Sequence, residues 1–323
     1  MRFGMNKYQS ALIGITLLTT ACSMFAAPLK PQDLQDRPQS NQKIRLFQPT
    51  DTSVTLQRKG PGKNNVVQGI ALDEKQNLIY TTHVTGNPEK GAINRFNYTQ
   101  SSNELHALDA QKPSTMIGHQ GISVDPLTGT LFSSAGPDVE QRGWNIVAFN
   151  YTPNQLPNAK TIQVFSAPYG QNLNTMPSFS PNGQYLIVRG QKDKQNVVRV
   201  YNRNILITAQ ASPLYEWFVD KQITRDKYPL QAMTTDGKYV YLLSGNSRLD
   251  LAKRLYVYTL QGQMVQKIED IQLGRSAAKQ LSEKGAWEPE GLTYNPKTKQ
   301  LYLFYAVGES KQRLGRIYKI NVH

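Results

Sequence analysis

Runs of alternating apolar and polar residues recur along the chain, and each run ends at a turn rich in Asp, Asn, Pro or Gly. In five copies, an apolar run of Leu, Ile, Val and Tyr follows the turn. The copies begin at Val67 (VQGIALDEKQNLIYTTHV), His119 (HQGISVDPLTGTLFSSAG), Thr175 (TMPSFSPNGQYLIVRG), Leu230 (LQAMTTDGKYVYLLSG) and Pro289 (PEGLTYNPKTKQLYLFYAV). This pattern predicts two antiparallel strands joined by a tight turn in each copy.

A third strand is predicted after each pair. The corresponding runs are GAINRFNYT, WNIVAFNYT, NVVRVYNRN, KRLYVYTLQG and GRIYKINV. The copies are spaced by 52 to 59 residues, which leaves room for a fourth strand in each. Such regular spacing is typical of a β-propeller. The sequence therefore predicts an all-β protein in which residues 43–323 form a single five-bladed β-propeller.

The two ends of the predicted propeller complement each other. The last copy stops after its third strand, and the runs KIRLFQP and SVTLQRK precede the first copy without a blade of their own. Because a closed ring of blades leaves few exposed sheet edges, we predict that an N-terminal strand completes the last blade and closes the ring.

The N-terminus has the plan of a signal peptide over residues 1–21, in which basic residues precede a short apolar core. Cys22, the only cysteine, follows LTTA as in a lipoprotein signal, and we expect it to be lipidated. Cleavage near Ala26 or Ala27 is the alternative. Residues 22–42 are rich in Pro and Gln and are predicted to be a tether. We therefore expect an exported protein, either a periplasmic or outer-membrane lipoprotein or a secreted one.

The charge balance is strongly basic, with 37 Lys and Arg against 23 Asp and Glu and a net charge of +14. Such a balance favours polyanionic partners, although it also fits a soluble surface with dispersed charges. The expected partners are a cell-wall glycan, an anionic polymer or an envelope protein, with a lipid anchor to a membrane as a further expectation. Nucleic acid is the partner that we expect least.

The residue just before the Gly position of each copy, a position held by Met176 in the third copy and Ala232 in the fourth, is predicted to lie at one mouth of the central channel. These residues are Gln68, Gln120, Thr175, Gln231 and Glu290, with His119 and Glu288 beside them. All can donate or accept hydrogen bonds, so they form a candidate ligand site; alternatively, they bond only to backbone and trapped water. Loops on the same face add candidate ligand-binding residues with aromatic or cationic side chains: Trp287, Tyr228 and Arg189.

Candidate catalytic chemistry is limited to few residues, because the chain contains no H-E-x-x-H, G-x-S-x-G, phosphate-binding loop or C-x-x-C motif. His119 is the histidine expected at the channel mouth and could serve in acid–base or metal chemistry. Glu288 and Glu290 share one side of an extended segment. They could hold Ca²⁺ together with His119, or act as a general acid and base on a glycoside or lactone.

The phrases QGIALD, GHQGISVDPLTGTLF and EPEGLTYNPKTKQLY resemble those of five-bladed propellers of the teichoic acid biosynthesis protein C and helveticin J-like type. The resemblance spans residues 66–323. It implies a role connected with cell-wall polymers or, for helveticin-like members, bacteriocin activity against other cells. The lipoprotein-like signal of this chain predicts that the protein is retained on the envelope of the cell that makes it. This feature argues against a bacteriocin role.

The sequence is therefore compatible with three functions. The first is a non-catalytic envelope propeller that binds a glycan, a polyanion or a partner protein at its channel mouth. The second is a hydrolase of the lactonase, glycosidase or phosphoesterase type that uses Glu288, Glu290 and His119. The third is a secreted helveticin-like bacteriocin. We favour the first of these.

Overall fold

The computed structural model describes residues 46–47, 53–98, 102–208, 211–221, 223, 228–281, 286–309 and 312–322. The chain divides into two compact units, residues 1–42 and 43–323. The predicted signal peptide, Cys22 and tether lie outside the described residues, whereas the second unit contains the repeats. The predictions for the N-terminus therefore remain predictions.

Strands account for most of the described chain. Two short strands come first: β1 (Leu46–Phe47) and β2 (Val54–Gln57). The first blade contains β3 (Val67–Asp73), β4 (Leu78–Thr85), β5 (Lys90–Asn97) and β6 (Glu104–Ala110). The second contains β7 (Ile117–Val124), β8 (Leu131–Ala135), β9 (Asn145–Phe149) and β10 (Lys160–Gln163).

The remaining blades follow the same plan. The third contains β11 (Met176–Phe179), β12 (Tyr185–Lys192), β13 (Gln195–Asn202) and β14 (Tyr215–Phe218). The fourth contains β15 (Leu230–Thr235), β16 (Tyr239–Ser244), β17 (Lys253–Thr259) and β18 (Met264–Ile271), and the helix α1 (Arg275–Leu281) follows it. The last contains β19 (Ala286–Asn295), β20 (Gln300–Gly308) and β21 (Leu314–Val322).

Each predicted hairpin and third strand is confirmed, because the strands within every blade pair antiparallel in chain order. The innermost strands β3, β7, β11, β15 and β19 contact one another in succession, and β19 returns to β3. We call the end of the ring at which these five strands begin the upper face, and the end at which they finish the lower face. The five-bladed propeller predicted from the sequence is the observed fold.

Ring closure also follows the prediction. The strand β2 pairs antiparallel with β21, so that Val54 faces Ile317, and it thereby supplies the fourth strand of the last blade. It also pairs in parallel with β6, the outer strand of the first blade. The strand β1 pairs with the other end of β21. The N-terminal segment therefore joins the first and last blades through their outer edges.

The core lies between neighbouring blades. The described residues form five buried hydrophobic clusters, one for each blade interface. The second strand of a blade is buried along nearly its whole length, as in β20, because both of its faces pack against other blades. This explains why the second run of each repeat is continuously apolar while the first alternates.

Glycine allows the innermost strands to approach one another closely. A Cβ atom on Gly291 would lie 3.0 Å from the backbone nitrogen of Ile70 in the next blade. A Cβ atom on Gly69 would lie 2.7 Å from Oγ1 of Thr82 and 3.3 Å from the backbone nitrogen of Ile122. The Gly of the repeat is therefore required by packing around the channel.

Candidate functional site

The residue before the Gly of the repeat occupies a β-bulge in three blades. The pairing register shifts between Val67 and Gly69, between Leu230 and Ala232, and between Pro289 and Gly291. The extra residues at these shifts are Gln68, Gln231 and Glu290. Because a bulged residue leaves the regular ladder, its side chain is directed differently from those of its neighbours. Local backbone geometry thus singles out the positions that the sequence analysis selected.

The other two blades depart from this geometry. In the second blade the register shifts across a longer segment, from Ile117 to Ile122, which includes Gln120. In the third blade the pairing of β11 begins regularly at Met176, and Thr175 precedes the strand. The ring of equivalent positions is therefore irregular at these two blades.

Four side chains meet where the fourth and fifth blades adjoin at the upper face. Arg313 Nη1 donates to Glu288 Oε2 at 2.7 Å, and Gln231 Nε2 donates to Glu288 Oε1 at 3.4 Å. Glu290 lies close enough to Glu288 for the charge of Glu288 to raise its pKa. We call Gln231, Glu288, Glu290 and Arg313 the carboxyl cluster. The side chains of Glu288 and Arg313 remain 20% and 16% exposed, so a ligand can reach the cluster.

The two carboxyl groups of this cluster differ in their environment. Glu290 is only 4% exposed, and burial raises the pKa of its carboxyl well above the usual range. The negative charge of Glu288 raises that pKa further, whereas Arg313 lowers it. Burial therefore favours the neutral form of Glu290. The cluster combines two carboxyl groups, one amide and one guanidinium.

A buried lysine lies close to the carboxyl cluster. Lys253 Nζ donates to the carbonyl oxygens of Arg248 and Leu251 at 3.0 and 2.9 Å, and it lies 4.0 Å from the ring centroid of Trp287. Burial lowers the pKa of Lys253 to about 7, although attraction to Glu288 raises it. This cation stabilises the local backbone and does not reach the surface.

Trp287 is fully buried, contrary to the expectation that it stacks on a ligand. It lies within β19 and belongs to the hydrophobic cluster between the fourth and fifth blades. Its Nε1 donates to the carbonyl oxygen of Leu273 at 3.0 Å, and its ring stacks on Tyr305. We therefore leave Trp287 out of the proposed binding surface.

Three other predicted ligand-binding residues also have structural partners. Thr175 is fully buried, and its hydroxyl donates to the carbonyl oxygen of Asn145 at 2.5 Å. Arg189 is buried and donates to Asn196 Oδ1 at 2.9 Å, and burial lowers its pKa to about 10. Tyr228 is 8% exposed, and the guanidinium of Arg254 covers its ring at 3.6 Å. These contacts leave little surface for a ligand.

His119 forms a separate group at the upper face. Its Nδ1 contacts the carboxylate of Glu89, and its Nε2 lies 3.3 Å from Nδ2 of Asn174. Among the described residues, its side-chain partners thus come from the first and third blades and not from Glu288 or Glu290. Among the residues that the structure describes, no group of three or more His, Cys, Asp or Glu could hold a metal ion. Ca²⁺ therefore remains a prediction without a described ligand cluster.

Sequence reasoning missed Glu89 and Asn174. Glu89 lies between the second and third strands of its blade, and Asn174 lies just before an innermost strand. Both positions belong to upper-face loops, so repeat topology could have indicated them. Their contact with His119 joins three blades, and the spacing of the repeats along the sequence does not predict it.

The fold and this face define a class of binding propellers. The family model described as phage 5-bladed beta propeller receptor binding platform domain matches residues 66–319, and the chain belongs to this family. Among the described residues, no helix is long and apolar enough to cross a membrane.

Known relatives share the propeller. The putative major teichoic acid biosynthesis protein C of Bacillus subtilis (strain 168) is 25% identical over 270 residues, which cover 78% of this chain. The match spans 59% of that relative. The tail fiber of Staphylococcus aureus phage P68 is similar with a TM-score of 0.61 and 20% identity, over 86% of this chain and 53% of the fiber chain.

A gluconolactonase from Xanthomonas campestris matches more distantly. Its TM-score is 0.40 at 11% identity, with 85% of this chain and 89% of that chain covered. A likeness at this level carries no argument about activity.

Proposed function

We propose that this chain is an exported, envelope-associated propeller that binds a cell-wall glycan or anionic polymer at its upper face without catalysis. The observation that carries the proposal is the carboxyl cluster. Its four groups offer hydrogen-bond donors and acceptors side by side, as recognition of hydroxyl-rich polymers requires. Because Glu288 is paired with Arg313 and burial favours the neutral form of Glu290, the cluster repels an anionic polymer less than two free carboxylates would.

The comparisons support the same class of function. The family description names receptor binding, and one relative carries a name that refers to teichoic acid. The net charge of +14 adds long-range attraction toward an anionic polymer. An envelope protein as the receptor is the competing outcome of the test below.

The binding proposal is tested with purified wall teichoic acid and peptidoglycan fragments as probes. We expect the wild-type propeller to bind at least one of them saturably, with a rise in its melting temperature. Gln231→Ala should weaken that binding at least fivefold, because Gln231 donates to Glu288. Gln261→Ala, at an exposed turn position, is the matched control and should bind as the wild type does. Absence of binding to both probes would overturn the proposal.

Export and lipid attachment at Cys22 belong to the same proposal and rest on the sequence alone. We expect mass spectrometry of the mature protein to find a diacylated or triacylated Cys22 at its N-terminus. A mature N-terminus near Ala26 or Ala27, without lipid, would instead support a secreted protein.

One observation favours a second candidate, a hydrolase. Two adjacent carboxyl groups, of which Glu290 has a pKa raised by burial, are the arrangement of a general acid and its partner. In that case Glu290 would donate a proton to the leaving group of a glycoside, lactone or phosphoester. Glu290→Gln should then abolish turnover of such substrates, whereas retained turnover would exclude the acid role.

A further inference from the structure

A cavity occupies the lower end of the central channel. Its volume is about 100 Å³, and all five innermost strands line it, through Leu72, Ser123, Ser178, Thr234 and Thr293. Residues of the lower-face turns, such as Lys75 and Pro296, form its rim and are exposed. The carboxyl cluster lies at the opposite face, so this cavity is a distinct feature of the ring.

The cavity contains hydroxyl groups without protein partners. Ser178 and Thr234 are each only 4% exposed, and neither side chain has a hydrogen bond to another described residue. Their hydroxyl oxygens are open to the cavity, so water or a ligand can hydrogen-bond to them there. Ser123 Oγ accepts from the backbone N–H of Phe179 at 3.0 Å, which leaves its own proton free to donate.

The rest of the lining includes apolar side chains and the charged residues Asp73, Glu74 and Lys75. Phe179, Met233 and Leu292 supply apolar surface, and Asp73 Oδ1 accepts from the backbone N–H of Gln76. Among the described residues, no group of three or more His, Cys, Asp or Glu could hold a metal ion here, and hard cations take six to eight oxygen ligands. A lining in which hydroxyl groups alternate with apolar side chains is complementary to a ligand that carries both O–H and C–H groups.

We infer that the lower end of the channel binds a small neutral polyol through Ser178, Thr234 and Thr293. The volume of about 100 Å³ is several times the roughly 10–15 Å³ that one water requires on the same measure, so the cavity has room for a small polyol. Such a ligand donates and accepts at each hydroxyl, and its C–H groups contact Phe179 and Leu292. The polyol is either a free molecule or one unit of a longer chain that passes through the rim.

Ligand-observed NMR with glycerol and diglycerol tests this inference on the intact protein. We expect saturable binding of glycerol, and tighter binding of diglycerol if the natural source is a chain. Thr234→Val and Ser178→Ala each remove one hydroxyl with little change in volume and should weaken binding at least fivefold. Thr161→Val, at an exposed position of β10, is the control and should bind as the wild type does.

Two results would overturn the inference. One is that the wild type shows no saturable binding of either probe, which would leave the cavity as a site for water only. The other is that both variants bind as tightly as the wild type while their folding is intact by circular dichroism. Because the carboxyl cluster is at the other face, Ser178→Ala and Thr234→Val leave its residues unchanged, so this test is independent of the upper-face proposal.

Discussion

At the scale of single residues, Glu290 differs from its counterparts because it can ionise. Gln68, Gln120 and Gln231 are neutral at the equivalent positions, and Thr175 is neutral and fully buried. Burial and the nearby Glu288 raise the pKa of Glu290 and so favour its neutral form, which can donate and accept as the amides do. This shift brings the ring closer to neutrality than its sequence indicates.

The raised pKa of Glu290 predicts a pH-dependent stability. Between the ordinary pKa of a glutamate, about 4.3, and the higher folded pKa, the folded state binds more protons than the unfolded state. The free energy of unfolding should therefore decrease as the pH rises through this interval. Glu290→Gln removes the titrating group, so its stability relative to the wild type should increase steadily above about pH 4.5.

Urea denaturation at a series of pH values from 4.5 to 9 measures this difference. Glu309→Gln, which replaces an exposed glutamate near the end of β20, is the control and should follow the wild type in parallel. Parallel curves for Glu290→Gln and the wild type would show that Glu290 titrates normally.

At the scale of elements, β2 belongs to two blades at once. It completes the last blade through β21 and extends the first through β6. Val54 and Leu56 are buried in the hydrophobic cluster between these blades. Arg58 Nη2 donates to the carbonyl oxygens of Asn65 and Arg313 at 2.6 and 3.2 Å. The closing strand therefore also fixes the backbone beside the carboxyl cluster.

Loss of this strand should destabilise the whole ring. Deletion of residues 43–59 removes the buried side chains of Val54, Leu56 and Arg58 and exposes the edge of β21, so we expect a clear fall in melting temperature. Leu56→Ala alone should lower the free energy of unfolding by about 2–5 kcal/mol, as for other buried leucines. Gln57→Ala, at the half-buried neighbouring position, should change it by less than about 0.5 kcal/mol. A deletion variant that melts like the full mature chain would contradict this role.

At the scale of the whole molecule, the repeats made the fold predictable. Five copies with apolar second runs required five similar sheets, and the missing fourth strand of the last copy indicated how the ring closes. The positions at the channel mouth also followed from the repeat. The bulges at Gln68, Gln231 and Glu290 could not be read from spacing, because pairing registers depend on both strands.

The side-chain environments at the upper face were less predictable. Trp287 and Arg189 were assigned to loops, but β19 begins at Ala286 and β12 extends to Lys192. Inside these strands they point into the packing between blades, which involves residues distant in sequence. The pairing of His119 with Glu89, and not with Glu288, likewise depends on how three blades meet.

The central claim, that a protonated Glu290 serves in binding at the upper face, is tested most directly by one calorimetric titration. Purified wall teichoic acid is titrated into the wild type, Glu290→Gln and Glu290→Ala at neutral pH. An amide reproduces the neutral donor and acceptor of a protonated carboxyl, so Glu290→Gln should bind within about threefold of the wild type, and Glu290→Ala at least tenfold more weakly. Equal binding by Glu290→Ala and the wild type would contradict the claim.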